Sequence, residues 1–354
     1  MPYDFLLVGC GLHNIVLARE LTNAGKKCFI IDKRNHIGGN CYDVLENGIY
    51  KSIYGGHYTH TNNDLVWRYV NKFSKFFQYV FVAKAHSHGV TYSYPINLMT
   101  MQQLWSVQTP EEARKKVESV KIKIDNPANF EEKVLSLVGE EIYDKFFYGY
   151  NYKHWKRDPK ELDASLINRI VIRYNYDDRY FSDKYQVMPL FGYTTMFENM
   201  LSVIPVRLNC EFNKSDEKLA NTIIYSGTID EYYDYKFGEL EYRGVNHKYS
   251  QEETGTAMLT YPDMSVDYTR KFSYGYPYGI EDKFLTATEY PSDDIDKKAY
   301  PVNTQRNRDL YEKYKNISND KVVFAGRLGT YKYINMDTTI ENSLNLTKEL
   351  LRVR

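Results

Sequence analysis

Two glycines one residue apart, Gly9-Cys10-Gly11, follow the apolar run from Tyr3 to Val8 and precede a helical pattern that begins near Leu12. That arrangement is suited to holding an anion. Gly9 permits a tight turn, Gly11 lets the backbone approach a pyrophosphate, and the helix N-terminus offers unpaired N–H groups and a favourable dipole. Asp32 closes a second strand, Cys28 to Asp32, at the ~20-residue distance where a carboxylate accepts from a ribose 2′-OH and disfavours a 2′-phosphate. The pattern predicts a dinucleotide site that rejects NADP. Asn14 stands where the third glycine of the pattern belongs, on the helix face nearest the strand, so the helix must sit slightly off or Asn14 must find a partner.

Further along, Arg169 and Arg173 are embedded in a run from Ile167 to Pro189 that alternates like paired strands, with Asp177-Asp178 as its turn, and Arg270 repeats the pattern in Tyr268-Thr269-Arg270. Arginines on strands suit bidentate contact with phosphate. The chain holds 35 tyrosines against 17 phenylalanines. Most must be packing, yet a tyrosine-lined cleft would also stack a base and donate to phosphate oxygens. His57 and His60 lack a cysteine or third histidine at ligand spacing, so no metal is expected. With no nucleophile elbow, no Cys–His pairing with an orienter and no carboxylate pair on one face, the chemistry is left to a cofactor.

The elements that position these residues follow from pattern and composition. A length of 354 residues suggests two or three domains, and 46 basic against 46 acidic side chains argue against nucleic acid or membrane as a bulk partner. The four cysteines, at 10, 28, 41 and 210, form no disulfide framework. With a core strand at the start and no apolar run near ~20 residues, the expectation is a reduced, cytoplasmic protein. From Leu98 to Asp163 the pattern is helical. Thr109-Pro110-Glu111-Glu112 reads as a capping box, Asn129 with Glu132 repeats it, and the second helix stops near Gly139. Helical spacing then places Phe146 with Tyr150 on one face and Phe147 with Asn151 beside them. Antiparallel strands are expected from Glu253 to Ala299. Short buried strands at Asn221–Gly227 and Val322–Gly326 would rejoin the first sheet. The fold class is α/β: a discontinuous Rossmann-like dinucleotide-binding domain with a helical insert and an antiparallel β-sheet substrate domain.

The sequence resembles the UDP-galactopyranose mutase family over nearly its whole length. The resemblance is carried by Lys33–Asn40 (KRNHIGGN), Tyr54–Asn62, Tyr150–Trp155, Arg169–Tyr185, Gly227–Arg243, Tyr268–Arg270, Tyr300–Asn303 (YPVN) and Gly326–Asp337 (GRLGTYKYINMD). It implies FAD, active when reduced, rather than NAD. The FAD-binding domain would comprise 1–80, 190–248 and 318–354, the helical domain 98–163, and the sheet domain 81–97, 164–189 and 249–317. The cofactor would be held by Gly9, Gly11, His13, Asp32, Lys33, Gly39 and Asn40, by His57 and Tyr58 at the isoalloxazine, and by Phe212 and Arg327. Ile334, Met336, Asp337, Thr338 and Thr339 would form a second flavin-contacting stretch.

The resemblance also implies catalytic roles for Arg169, Arg270 and His57, the two arginines clamping the substrate diphosphate. Tyr180, Tyr300 and Tyr333 would donate to the same phosphates. Phe146 and Tyr150 would form the uridine pocket, with Asn151 and Trp155 near the substrate and Asn335 near the sugar or flavin. The implied reaction interconverts UDP-galactopyranose and UDP-galactofuranose through a covalent adduct of the sugar with N5 of reduced FAD, without net electron transfer. A UDP-sugar partner and a homodimer are implied, and neither nucleic acid nor membrane. Asn335 stands where the family usually has aspartate, which points to an alternative sugar such as UDP-arabinopyranose or UDP-N-acetylgalactosamine. If Asn14 and Asn335 mark decay, a non-catalytic UDP-sugar-binding flavoprotein is the other reading.

Overall fold

The computed structural model describes residues 2–169, 172–280, 285–294, 297–317 and 320–352, without the side chains of residues 168 and 169. The chain divides into two compact units, one of residues 1–79, 183–244 and 295–354, the other of 80–182 and 245–294.

In the first unit, five parallel strands lie in the order Val206–Arg207, Cys28–Ile31, Tyr3–Val8, Ala220–Tyr225, Val322–Phe324. Phe5, Leu6 and Leu7 are fully buried, as are Ile223 and Ile224. Successive side chains on a strand point to opposite faces, so such uninterrupted apolar runs require both faces of the sheet to be covered. The helix Leu12–Asn23 supplies one cover and is itself buried continuously from Leu12 to Ala18. The last helix, Met336–Arg352, reaches it through Ser343, whose hydroxyl donates to the His13 carbonyl at 3.1 Å. Both short glycine-ended strands expected from the sequence do rejoin this sheet.

Residues 183–189 and 297–317 also fold with this unit, although the sheet domain expected from the sequence takes in 164–189 and 249–317. Tyr185–Pro189 is the central strand between Thr59–Thr61 and Phe76–Gln78, and Asp183 ahead of it accepts from Asn62 at 2.6 Å and pairs with His60 at 2.8 Å. The helix Gln305–Lys315 sends Leu310 and Tyr314 into a cluster with Ile229, Leu240 and Tyr331. The hairpin Asp43–Glu46/Ile49–Ser52 turns at Asn47-Gly48, both with positive φ. Asp43 then accepts from the amides of Tyr193 (2.7 Å) and Thr194 (2.8 Å) at the start of the helix Gly192–Leu201.

In the second unit the strands run in the order Tyr242–Ser250, Thr286–Ser292, Arg270–Ser273, Met258–Thr260, Ala83–Ser87, Val90–Tyr94, the first of them entering from the other unit. The pairs are antiparallel at 270–273 with 286–289, 258–260 with 270–272, and 83–87 with 90–94, and parallel between Met258–Thr260 and Ala83–Ala85. Helices Pro110–Val120 and Phe130–Val138 start where expected, with Thr109 accepting from the Glu112 amide and Asn129 from the Glu132 amide. The capping glutamates reach one residue further back than a capping box requires. Glu112 takes the Gln108 amide and Glu132 the Ala128 amide, each at 2.7 Å. The helical stretch and the sheet share this unit because Phe146 packs edge-on against Tyr92 and Lys153 donates to four carbonyls of the 261–268 loop.

One expectation fails. Among the described residues between 167 and 184 there is no paired strand, and 170–171 lie outside that set. Short polar side chains capture the backbone there instead. Asn175 accepts from the Asp177 amide (3.0 Å) and Asp177 from the Arg179 amide (3.2 Å). Arg173, expected on a strand and suited to phosphate, is buried, and its guanidinium donates to the carbonyls of Asp177 (3.1 Å) and Arg179 (2.5 Å).

Candidate functional site

The first unit contains a cavity of about 640 Å³ at the carboxyl ends of its parallel strands, within the range typical of small-molecule sites. Gly9 (φ 92°) ends the first strand, and a Cβ there would lie 2.2 Å from the Ser226 hydroxyl oxygen. A second glycine loop lies against the first. Gly38 donates its amide to the Cys10 carbonyl at 2.8 Å, and a Cβ on Gly39 (φ 57°) would lie 2.9 Å from the Gly11 Cα. The helix Leu12–Asn23 begins at Gly11 with no side-chain cap and no acidic residue in its first turn. Its terminal amides and dipole are therefore available to an anion in the cavity.

Asn14 resolves the missing third glycine by finding partners. Its Nδ2 donates to the carbonyls of Val8 (3.0 Å) and Gly9 (2.9 Å) and to the Ser226 hydroxyl (3.2 Å), which in turn donates to the Val8 carbonyl at 2.8 Å. The substitution thus staples the glycine turn to the end of the strand Ala220–Tyr225. Ser226 was not anticipated from sequence, where its only signal is a position directly after a buried strand.

Asp32 holds the turn from the other side. Its two carboxylate oxygens accept from the amides of Cys10 (2.6 Å) and Arg34 (2.8 Å), leaving a further lone pair on each for a hydroxyl. Arg34 donates to Asn40 at 3.0 Å and lies over the Tyr54 ring at 4.5 Å. His36 stacks on Tyr42 at 4.0 Å and bonds Tyr54 at 2.8 Å. The KRNHIGGN loop is thereby fixed with Lys33, Gly39 and Asn40 on the cavity wall.

His57, Phe212, Arg327, Met336 and Thr339 also line the cavity. His57 bonds through Nδ1 to the Gly55 carbonyl at 2.8 Å. Tyr58, Ile334, Asp337 and Thr338 are not on the wall but brace it. Tyr58 stacks near Tyr79, the Ile334 carbonyl accepts from Arg327 at 2.7 Å, and Asp337 accepts from the Thr338 amide at 2.7 Å. Arg327 sits over the rings of Tyr333 (4.9 Å) and Tyr300 (5.7 Å), which stack on each other at 5.3 Å. Asn335 is exposed, its carbonyl accepting from Thr339. The Lys214 ammonium lies against the Tyr232 ring face on the same wall, where burial lowers its pKa. Sequence reasoning gave no signal for it.

In the second unit, Arg270 donates through Nε to Glu289 at 2.5 Å, and the His247 ring lies 3.4 Å from the other oxygen of that carboxylate. Glu289 is fully buried. Burial would raise its pKa, but Arg270 and His247 outweigh it and hold the group at about 2. Glu289 carries no spacing signal in sequence; it was found only as the partner of Arg270.

Phe146 sits on a π-helical stretch, Tyr143–Tyr148, which breaks the 3.6-residue register. Its ring is buried against Tyr92 and Tyr94, while Tyr150 stacks on His154 at 6.0 Å. Asn151 donates to the Phe147 carbonyl at 2.8 Å. Trp155 packs edge-on to His154, and Tyr180 lies near Phe81 and Tyr94. Arg169 ends a 3₁₀ turn, Ala164–Arg169; its side chain lies outside the described residues.

A cap-free helix N-terminus beyond a glycine turn, with a carboxylate at the end of the next strand, defines a dinucleotide-binding α/β protein, and residues 7–73 match the model of an NAD(P)-binding Rossmann-like domain. Residues 145–333 match the family model of UDP-galactopyranose mutase. The chain is 37% identical to a probable UDP-galactopyranose mutase of Klebsiella pneumoniae, over 98% of this chain and 94% of that protein. It is also 37% identical to a dTDP-fucopyranose mutase of Escherichia coli, over 96% of each. A crystal structure of reduced UDP-galactopyranose mutase shares the fold, with a TM-score of 0.76 at 15% identity over 99% of this chain and 96% of that one. The chain belongs to the UDP-galactopyranose mutase family.

Proposed function

We propose that the protein is a flavin-dependent nucleotide-sugar mutase that interconverts UDP-galactopyranose and UDP-galactofuranose with reduced FAD. The observation that carries this reading is the first unit's cavity: a glycine turn, an uncapped helix N-terminus and Asp32 fit a dinucleotide diphosphate and its ribose. The family match over nearly the whole chain selects the reaction. When bound, reduced FAD supplies N5 as the nucleophile toward the anomeric carbon.

The chain's own residues have physical tasks. The Leu12 helix terminus would neutralise the cofactor diphosphate, Asp32 would accept from a ribose hydroxyl, and the glycine loops would admit the backbone to close contact. Arg270 would stabilise the UDP leaving group as charge develops, with Glu289 fixing its guanidinium in one orientation. Arg169 would supply the second positive charge, and Tyr180, Tyr300 and Tyr333 would donate to phosphate oxygens.

A second reading keeps the chemistry and changes the sugar. It is favoured by Asn335 and by an equal match to a dTDP-fucopyranose mutase.

The test is chromatography of nucleotide sugars after incubation with the protein, its flavin oxidised in one sample and dithionite-reduced in the other. Pyranose and furanose forms should interconvert only in the reduced sample. No conversion of UDP-galactose, dTDP-fucose or UDP-arabinose in either sample would overturn the proposal. Light scattering and cell fractionation test the homodimer and the cytoplasmic location that accompany it.

A further inference from the structure

Asn14 does more than fill the place of a glycine. Backbone carbonyls accept and never donate, so the two that face the Asn14 amide, from Val8 and Gly9, oblige its NH2 group to point at them. The orientation of the amide is thereby settled. Its oxygen is left facing the neighbouring ring, 3.2 Å from His13 Nδ1. An amide oxygen is an acceptor only, so the hydrogen of a neutral His13 must be on Nδ1.

His13 is buried and lines the cavity on the first turn of the helix. Burial keeps the ring neutral and pushes its pKa down to about 4. Nε2 therefore carries a bare lone pair. Beside an uncapped helix N-terminus that attracts phosphate, such an atom would repel an anionic oxygen and needs a donor. The donors that flank the diphosphate of a dinucleotide are its sugar and sugar-alcohol hydroxyls.

We propose that Asn14 locks the His13 imidazole in its Nδ1–H form, so that Nε2 accepts a hydrogen bond from a hydroxyl of the bound dinucleotide adjoining its diphosphate. Asn14 is then a positioning residue for a contact made by His13. This rests on the reading of the cavity as an FAD site. It has an unusual consequence: glycine, the residue that the dinucleotide motif normally carries at this place, would bind the cofactor less well here than asparagine does.

The experiment records the ring-nitrogen NMR spectrum of ¹⁵N-histidine-labelled apoprotein and, separately, FAD affinity by quenching of flavin fluorescence. In the wild type, His13 should show protonated Nδ1 and bare Nε2, and in Asn14→Gly a mixture of the two tautomers. FAD affinity should fall roughly tenfold in Asn14→Gly and in His13→Leu, the loss of one hydrogen bond in a buried site. His13→Gln, which can offer an amide oxygen, should stay within about threefold of wild type.

A wild-type ring with its hydrogen on Nε2 would overturn the lock without any variant having to fold. FAD affinity unchanged in His13→Leu, with the wild type binding FAD normally, would overturn the contact while leaving the cofactor assignment intact. Failure of the wild-type protein to bind FAD at all would overturn the cofactor reading itself.

Discussion

Arg270 and Glu289 form an ion pair at 2.5 Å in the second unit, and their chemistry separates two roles. The Arg270 side chain is mostly buried but keeps 18% of its surface open to a ligand, whereas the carboxylate is fully buried and spends its charge on Arg270 and His247. Arg270→Ala is therefore expected to lower turnover by at least ~10²-fold, the scale for removing one charge-stabilising donor from a preorganised site. Near-normal turnover, measured with reduced flavin, would take Arg270 out of the active site. Asn335 makes a different prediction. An amide both donates and accepts, and a carboxylate only accepts. Asn335→Asp should shift the kcat/KM ratio between UDP-galactose and other nucleotide sugars, and ratios unchanged across the panel would remove Asn335 from sugar selection.

The elements are held at places where one side chain satisfies several backbone groups. Lys153, on the helix Gly149–Trp155, donates to the carbonyls of Tyr261, Asp263, Val266 and Tyr268 at 2.7–3.1 Å. These tie the helix to the loop that leads into the Arg270 strand. Lys153→Ala would leave carbonyls without a partner and should destabilise the second unit by about 2 kcal/mol, read from urea denaturation midpoints. Loss of the Thr109 or Asn129 cap should cost about 1 kcal/mol each, a smaller effect because each removes one bond at a helix end. These caps were legible in sequence since capping is local. Of the strands expected between Ile167 and Pro189, only Tyr185–Pro189 forms among the described residues, because the alternation before it competes with Asn175 and Asp177, whose side chains turn the backbone into consecutive Asx turns.

For the whole molecule, His13 and Glu289 each contribute acid sensitivity, with a distinct signature in each unit. His13 titrates at about 4 when folded against an unfolded value near 6.5. The unfolded chain thus binds more protons in that window, and the first unit loses stability as pH falls from about 6.5 to 4, by on the order of 3 kcal/mol. Glu289 is depressed to about 2, so its contribution in the second unit is complete above the unfolded value near 4.5 and is lost as pH falls toward 2. Thermal melts at pH 7 and pH 4.5 should differ markedly in the wild type and much less in His13→Leu. An equal difference in both proteins would contradict the assignment to His13.

The sequence by itself determined the dinucleotide unit. Gly9, Gly11, Asp32 and the buried strands around them are close in the chain or carry period and polarity that only one element type satisfies, and the return strands at 220–225 and 322–324 were legible for the same reason. It also identified the family, because the long motifs are contiguous. Tertiary structure alone decided what depends on partners far apart in the chain: Ser226 meeting Asn14 across 212 residues, Glu289 under Arg270, and Lys214 against Tyr232 on the cavity wall. It decided as well that Asn14 is a working part of the turn. No local preference sets where an amide's hydrogens point; the carbonyls of Val8 and Gly9 and the hydroxyl of Ser226, brought together only by folding, do.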